Sequence, residues 1–201
     1  MIVERDGWLE PSDPGRTIIR VPTVRTSPLK VSAPIAVVWH HTAGAGKREG
    51  PGYAVNLANS IREYRRGVDR AASWHVCLAR DGALVQSAPF TVGTWHVAKG
   101  GNIAGRWRAS VNDYAVGVEL EHTGEAGIPY TLAQEGAAAA LIGALREAYD
   151  LRRADFGYAH RDFDPGRKID PVAPWMEECL PRALDAVFGA TSAPRNEGAT
   201  P

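Results

Sequence analysis

The chain has 201 residues, of which 44% are hydrophobic and 23% charged. That is the composition of a globular domain large enough to bury its own core, and it excludes a disordered or collagen-like chain. Twenty-three basic and 23 acidic side chains cancel to a formal net charge of zero, which argues against a general nucleic-acid binder. The zero hides a split of +5 over residues 1–100 and −5 over residues 101–201. The two cysteines, Cys77 and Cys179, form neither a disulfide framework nor a CxxC metal site. Residues 1–8 lack the apolar core of a signal peptide, and no run is long and apolar enough to span a bilayer. The expectation is a soluble chain made in the cytoplasm without a signal peptide, with no membrane partner.

Residues 1–30, rich in Pro, Asp, Arg and Ser, read as an extended arm or irregular cap. Ile35 to His40 is a short apolar, β-branched run that fits a buried strand, and the Gly/Ala-rich stretch after His41 breaks it into a loop. From Tyr53 to Arg66, Ala54, Leu57, Ala58, Ile61 and Tyr64 recur at helical spacing. Trp74–Ala79 and Ala83–Gln86 flank Asp81-Gly82, a hairpin signal. Pro89 to Ser110 reads as a loop carrying Trp95, His96 and Trp107. Ala115 to Leu120 is a further apolar strand. Thr131 and Gln134 form a capping box that opens an Ala-rich helix to about Tyr149. Gly157 to His160 is a short strand or turn, and a last helix runs from about Trp175 to Phe188. Alternating strands and helices predict an α/β fold with a mixed central sheet flanked by helices. The expected organisation is an arm (1–30), one domain (31–188) and a disordered tail (189–201).

Of the six histidines, His40 and His160 each end a strand-like run and begin a loop, where binding and catalytic groups concentrate. The segment His160 to Pro171 places a His, a Lys and several Asp in one Pro/Gly loop. Two His and one carboxylate make a three-ligand zinc set, while the bland alternative is a solvated charged loop. Adjacent strand residues face opposite ways, so only one of His40 and His41 can face a shared site. In Ala115–Glu121, Glu119 and Glu121 fall on one face; a Glu in an apolar strand faces solvent or serves a site.

Five ordered segments resemble the zinc N-acetylmuramoyl-L-alanine amidases of the peptidoglycan-recognition-protein type (amidase type 2 family). They are Val37-Val38-Trp39-His40-His41-Thr42, Ser73-Trp74-His75 with Arg80-Asp81-Gly82, and Gly93-Thr94-Trp95-His96. Asn112-Asp113-Tyr114 with Gly117-Val118-Glu119-Leu120-Glu121, and His160 to Asp170, complete the set. The resemblance spans about residues 35–185 and looks nearest to cytosolic and phage-type members. It implies a zinc site at one end of the sheet, with His40, His160 and Asp170 as ligands in preference to His41, Asp162 or Asp164. Glu119 matches the catalytic glutamate and Lys168 a lysine beside the metal. Some members carry a Tyr where Trp74 stands; an indole cannot act as an acid, which leaves acid/base work to Glu119. His41, Trp95, His96, Arg70, Arg108 and Asn112 are the expected substrate-binding residues. His75 reads as a core or wall histidine and His122 as a surface one.

The implied reaction is hydrolysis of the amide between N-acetylmuramic acid and L-alanine in peptidoglycan, with Zn²⁺ as cofactor. The glycan strand and stem peptide are the expected partners, and the chain is expected to be a monomer that binds no nucleic acid. The expected context is a phage-type endolysin acting on the cell wall. The alternatives are a cytosolic muropeptide-recycling amidase and a non-catalytic peptidoglycan-binding module.

Overall fold

A computed structural model describes residues 1–43, 51–62 and 72–190. The strands are β1 (Ile2–Val3), β2 (Leu9–Glu10), β3 (Ile18–Arg20), β4 (Thr26–Pro28), β5 (Ala36–His41), β6 (Val76–Leu78), β7 (Leu84–Gln86), β8 (Val92–Thr94), β9 (Gly101–Ile103), β10 (Arg106–Arg108), β11 (Ala115–Leu120) and β12 (Tyr158–Ala159). The helices are α1 (Pro51–Arg62), α2 (Leu132–Tyr149), α3 (His160–Phe163) and α4 (Leu180–Phe188). Six strands form one mixed sheet in the order β12-β5-β11-β6-β7-β3. β12, β5, β11 and β6 run parallel, and β7 turns back antiparallel to β6.

The apolar runs at β5 and β11 become the sheet's centre because both faces are covered, which is what continuous hydrophobic strands require. On one face Val37, Trp39, Val116, Val118 and Leu120 pack against the Ala/Leu/Ile face of α2 and against α4. Each Leu or Ile buried there contributes about 1.5–3 kcal/mol relative to exposure. On the other face, Ala36, Val38 and Ala115 lie under Val97, Ile103, Val111 and Phe163, and Cys77 and Val85 lie under α1. The capping box forms as the sequence predicts: Thr131 Oγ1 accepts from the Gln134 N–H at 3.0 Å, and Gln134 Oε1 accepts from the Thr131 N–H at 3.1 Å. Gln134 also donates to the carbonyls of Leu78 and Glu121, tying the start of α2 to the ends of β6 and β11. The Asp-Gly hairpin is present as well, with Gly82 at φ +87°.

Three elements differ from the sequence reading. Residues 1–30 do more than trail: β3 pairs in parallel with β7 as the sheet's edge, and buried Leu9 joins the core. Buried Gln86 explains this, since its side-chain amide accepts from the Leu9 N–H and donates to the Gly7 carbonyl. The segment expected as a loop from Pro89 to Ser110 contains β8, which pairs with β4, and the hairpin β9–β10. That hairpin turns at Ala104 and Gly105, both at positive φ, the backbone of a two-residue type I′ turn. The expected last helix begins as a π-helical turn over Trp175–Cys179 before α4. Beyond Ala190 the expected tail lies outside the described residues, as does the end of the helix predicted to Arg66.

Candidate metal centre

The site is built by register. β11 pairs with β5 so that Glu119 stands opposite His40. β12 pairs with β5 so that Ala159 stands opposite Trp39, and His160 follows it directly as the first residue of α3. His160, His40 and Glu119 therefore leave the carboxyl ends of three adjacent parallel strands, where open α/β sheets bind ligands. Asp170 arrives on the loop after α3, whose path is fixed by the Arg161 N–H donating to the Asp170 carbonyl at 3.1 Å.

His40 Nδ1 lies 2.9 Å from His160 Nδ1, and Asp170 Oδ2 lies 2.8 Å from His160 Nδ1 and 3.4 Å from His40 Nδ1. All three residues are buried, at 2%, 4% and 6% exposure. Two imidazole lone-pair positions and a carboxylate aimed at one point fit a cation. Tetrahedral zinc with bonds of about 2.0–2.2 Å separates its ligands by about 3.3 Å, close to these spacings. Burial pushes His40 down to about 4, with His160 and Lys168 adding to it and Asp170 opposing. Burial works against the charge of Asp170, but the neighbouring imidazoles of His160 and His40 outweigh it and hold its carboxyl below the usual carboxylate range. A neutral imidazole and an ionised carboxylate are the forms that bind metal.

Glu119 keeps partial solvent contact, but its Oε2 is buried with no hydrogen-bond partner among the described residues. Burial, then repulsion from Asp170, pushes its carboxyl up to about 8, and Lys168 pulls the other way. Lys168 is half-buried and lines a cavity of about 340 Å³ with Trp95, His96, Asn112, His160 and Arg167. The indole of Trp95 is partly exposed there.

Other sequence-named residues fall elsewhere. His41 lies on the opposite face of β5, stacked on His122, with its Nδ1 accepting from the Val172 N–H at 3.4 Å. Asn112 lines the cavity, yet its Oδ1 is occupied by the backbone N–H groups of His96 and Val97. Arg108 sits over the ring of Tyr114, 4.4 Å from its centroid. Arg70 lies outside the described residues. His122, read as a surface residue, is 0% exposed because both ring nitrogens bond to the backbone turn that follows it. His75 is a core histidine with both ring nitrogens bonded. His96, read as part of a groove wall, lines the cavity and is also buried against His40.

The profile of a family described as N-acetylmuramoyl-L-alanine amidase matches residues 30–173. A curated relative, the 1,6-anhydro-N-acetylmuramyl-L-alanine amidase AmpD of Escherichia coli (strain K12), is 40% identical over 100 residues, covering 49% of this chain and 51% of that protein. The chain thus spans about half the length of the curated relatives it matches. The crystal structure of a selenomethionine AmpD derivative superposes with a TM-score of 0.70 at 27% identity, covering 92% of this chain and 99% of that one. A mutant endolysin from Bacillus subtilis shares the fold at a TM-score of 0.58 and 19% identity, covering 86% and 99% of the two chains.

Proposed function

The chain belongs to the N-acetylmuramoyl-L-alanine amidase family, and from that premise we propose that it hydrolyses the amide joining the muramoyl lactyl group to L-alanine in soluble 1,6-anhydro-muropeptides. The observation that carries the reaction is the convergence of His40, His160 and Asp170 with Glu119 alongside in register. A binding module needs no such buried set. Zinc held by His40, His160 and Asp170 would supply the positive centre that acidifies water and polarises the scissile carbonyl.

The chain's own residues do the rest. Glu119, whose Oε2 has no partner among the described residues and whose carboxyl a cation at the three ligands would return to its ionised form, takes the proton of the attacking water and returns it to the leaving amine. Such proton transfer is worth about 10²–10⁴-fold. The Lys168 ammonium donates to the oxygen that gains charge, where one donor is worth about 2.7–4 kcal/mol. Trp95 forms a partly exposed wall of the adjoining cavity.

This choice of substrate prefers the alternative, a muropeptide-recycling amidase, to the expected endolysin. The curated relatives carry the anhydro-muramyl name at 35–40% identity, whereas the endolysin likeness at 19% identity supports the fold alone. A 1,6-anhydro bridge closes C1 of the sugar, so that sugar terminates a released fragment and is not an internal unit of a strand. Among the described residues no helix is long and apolar enough to cross a membrane. Action on fragments in the cytoplasm is the matching context. The test offers zinc-loaded protein soluble anhydro-muropeptides and intact sacculi in parallel. Free stem peptide released from the fragments, abolished by chelator and restored by zinc, is expected. Solubilised sacculi with untouched fragments would return the endolysin reading.

A further inference from the structure

We propose that His96 is a positioning residue that fixes His40 as the Nε2–H tautomer, so that the Nδ1 lone pair of His40 points at the metal position before any metal arrives. The inference rests on the metal-site reading above. Its basis is a chain of partners that ends on a group able only to accept.

The Ala115 carbonyl lies 3.3 Å from His96 Nε2. A carbonyl oxygen only accepts, so His96 Nε2 carries a proton and donates. In a neutral imidazole the other nitrogen is then an acceptor. His96 Nδ1 lies 3.0 Å from His40 Nε2, so His40 Nε2 must donate to it. That leaves His40 Nδ1 bare, 2.9 Å from His160 Nδ1 and 3.4 Å from Asp170 Oδ2.

The seat of His96 is built. Asn112 Oδ1 accepts from the N–H groups of His96 and Val97 at 3.1 Å and 2.8 Å, locking the loop that carries the ring. The ring lies over Gly117 of β11, where an added Cβ would come within 2.5 Å of His96 Cγ. No residue larger than glycine at 117 admits the ring as it stands. The rings of His40 and His96 meet edge to face, with centroids 5.1 Å apart. His160 has no such partner: its Nε2 is buried and unbonded among the described residues. Of the two metal histidines, only His40 is preset by an outer partner among the described residues.

Two measurements test this on the full chain. Zinc affinity is read by competition with a chromogenic chelator for the parent, His96→Gln, His96→Phe and Gly117→Ala, with melting curves run alongside. Gln keeps an acceptor and a donor in one side chain; Phe keeps only the ring shape. Expected is a loss of about 10–100-fold for Phe, the usual effect of removing an outer partner of a metal histidine, and a loss within about threefold for Gln. Gly117→Ala, which changes no ligand, is expected to weaken zinc in the same direction as Phe. Zinc bound as tightly by a folded His96→Phe as by the parent would overturn the proposal. Failure of the parent itself to bind zinc would instead sink the metal-site reading. The second measurement needs no variant: long-range ¹H–¹⁵N spectra of the zinc-stripped parent should show His40 protonated at Nε2. A His40 protonated at Nδ1 refutes the assignment.

Discussion

Replacing Glu119 with Gln should stabilise the metal-free chain while inactivating the enzyme. The carboxyl of Glu119 sits near 8 against an ordinary 4.5, because burial and Asp170 both disfavour its charge. At about 1.36 kcal/mol per pH unit, that gap sets a ceiling of about 5 kcal/mol. Solvent contact relieves part of it, so about 2–3 kcal/mol is the expected gain. The sign follows from the protons bound. Between 4.5 and about 8 the folded chain holds a proton that the unfolded chain has released, so stability falls as pH rises through that window and is flat above it. Gln does not titrate, and Oε2 loses no partner among the described residues. Parent and variant should therefore coincide near about pH 4.5 and diverge to the full gain by about pH 9. Urea unfolding in chelator across that range measures the difference. A gap that does not change with pH, or a Gln variant less stable at the alkaline end, refutes the reasoning. With zinc restored, the same variant should lose about 10²–10⁴-fold in turnover.

Lys168→Ala should lower kcat by about 10²–10³-fold, the loss of one oxyanion donor, while zinc affinity by chelator competition stays unchanged; equal turnover would remove Lys168 from the reaction. The metal-free chain should be acid-labile, because burial holds His40, His41 and His75 each near 4. The unfolded chain takes up those protons near 6.5, so stability is lost as pH falls from about 6.5 to about 4, at about 1.4 kcal/mol per unit for each histidine, of which the opposing Glu119 slope cancels one; a flat urea midpoint over that range contradicts it. Gly82→Val should cost more than about 1–2 kcal/mol in thermal unfolding. Its φ is +87° and a Cβ would meet the Ala133 carbonyl oxygen at 2.9 Å, so an unchanged melting temperature would contradict the turn geometry.

The elements most legible in the sequence were those set by local physics. β11 falls on residues 115–120 as the apolar run predicts, and α2 starts at its capping box. What escaped depends on groups distant in sequence. The role of residues 1–30 as a sheet edge rests on Gln86, some 79 residues from the Gly7 carbonyl it bonds, and no local pattern announces such a partner. The hairpin β9–β10 escaped for a different reason. Its strands are three residues each, and its turn places Ala104 at φ +49°, a conformation that alanine's composition does not advertise.

The site divides in the same way. His40, His160, Asp170 and Glu119 were nameable because strand ends and motif order carry them; parallel register brings His40, His160 and Glu119 together, and the loop after α3 carries Asp170 in. One histidine, His122, was misread where burial depends on backbone groups. His122 looked like a surface residue after an exposed-looking Glu-His-Thr, yet the carbonyl of Ile128 and the N–H of Gly124 satisfy both ring nitrogens, and burial then costs little. His96 was read as a groove wall from its segment's resemblance, and it does line the cavity, but its contact with His40 was not announced. Its orientation is decided by a β11 carbonyl and by the missing side chain at Gly117. A glycine inside an apolar strand was thus the one available signal: such a gap in a buried strand marks a close approach, and here the approaching group is the imidazole that sets the metal histidine.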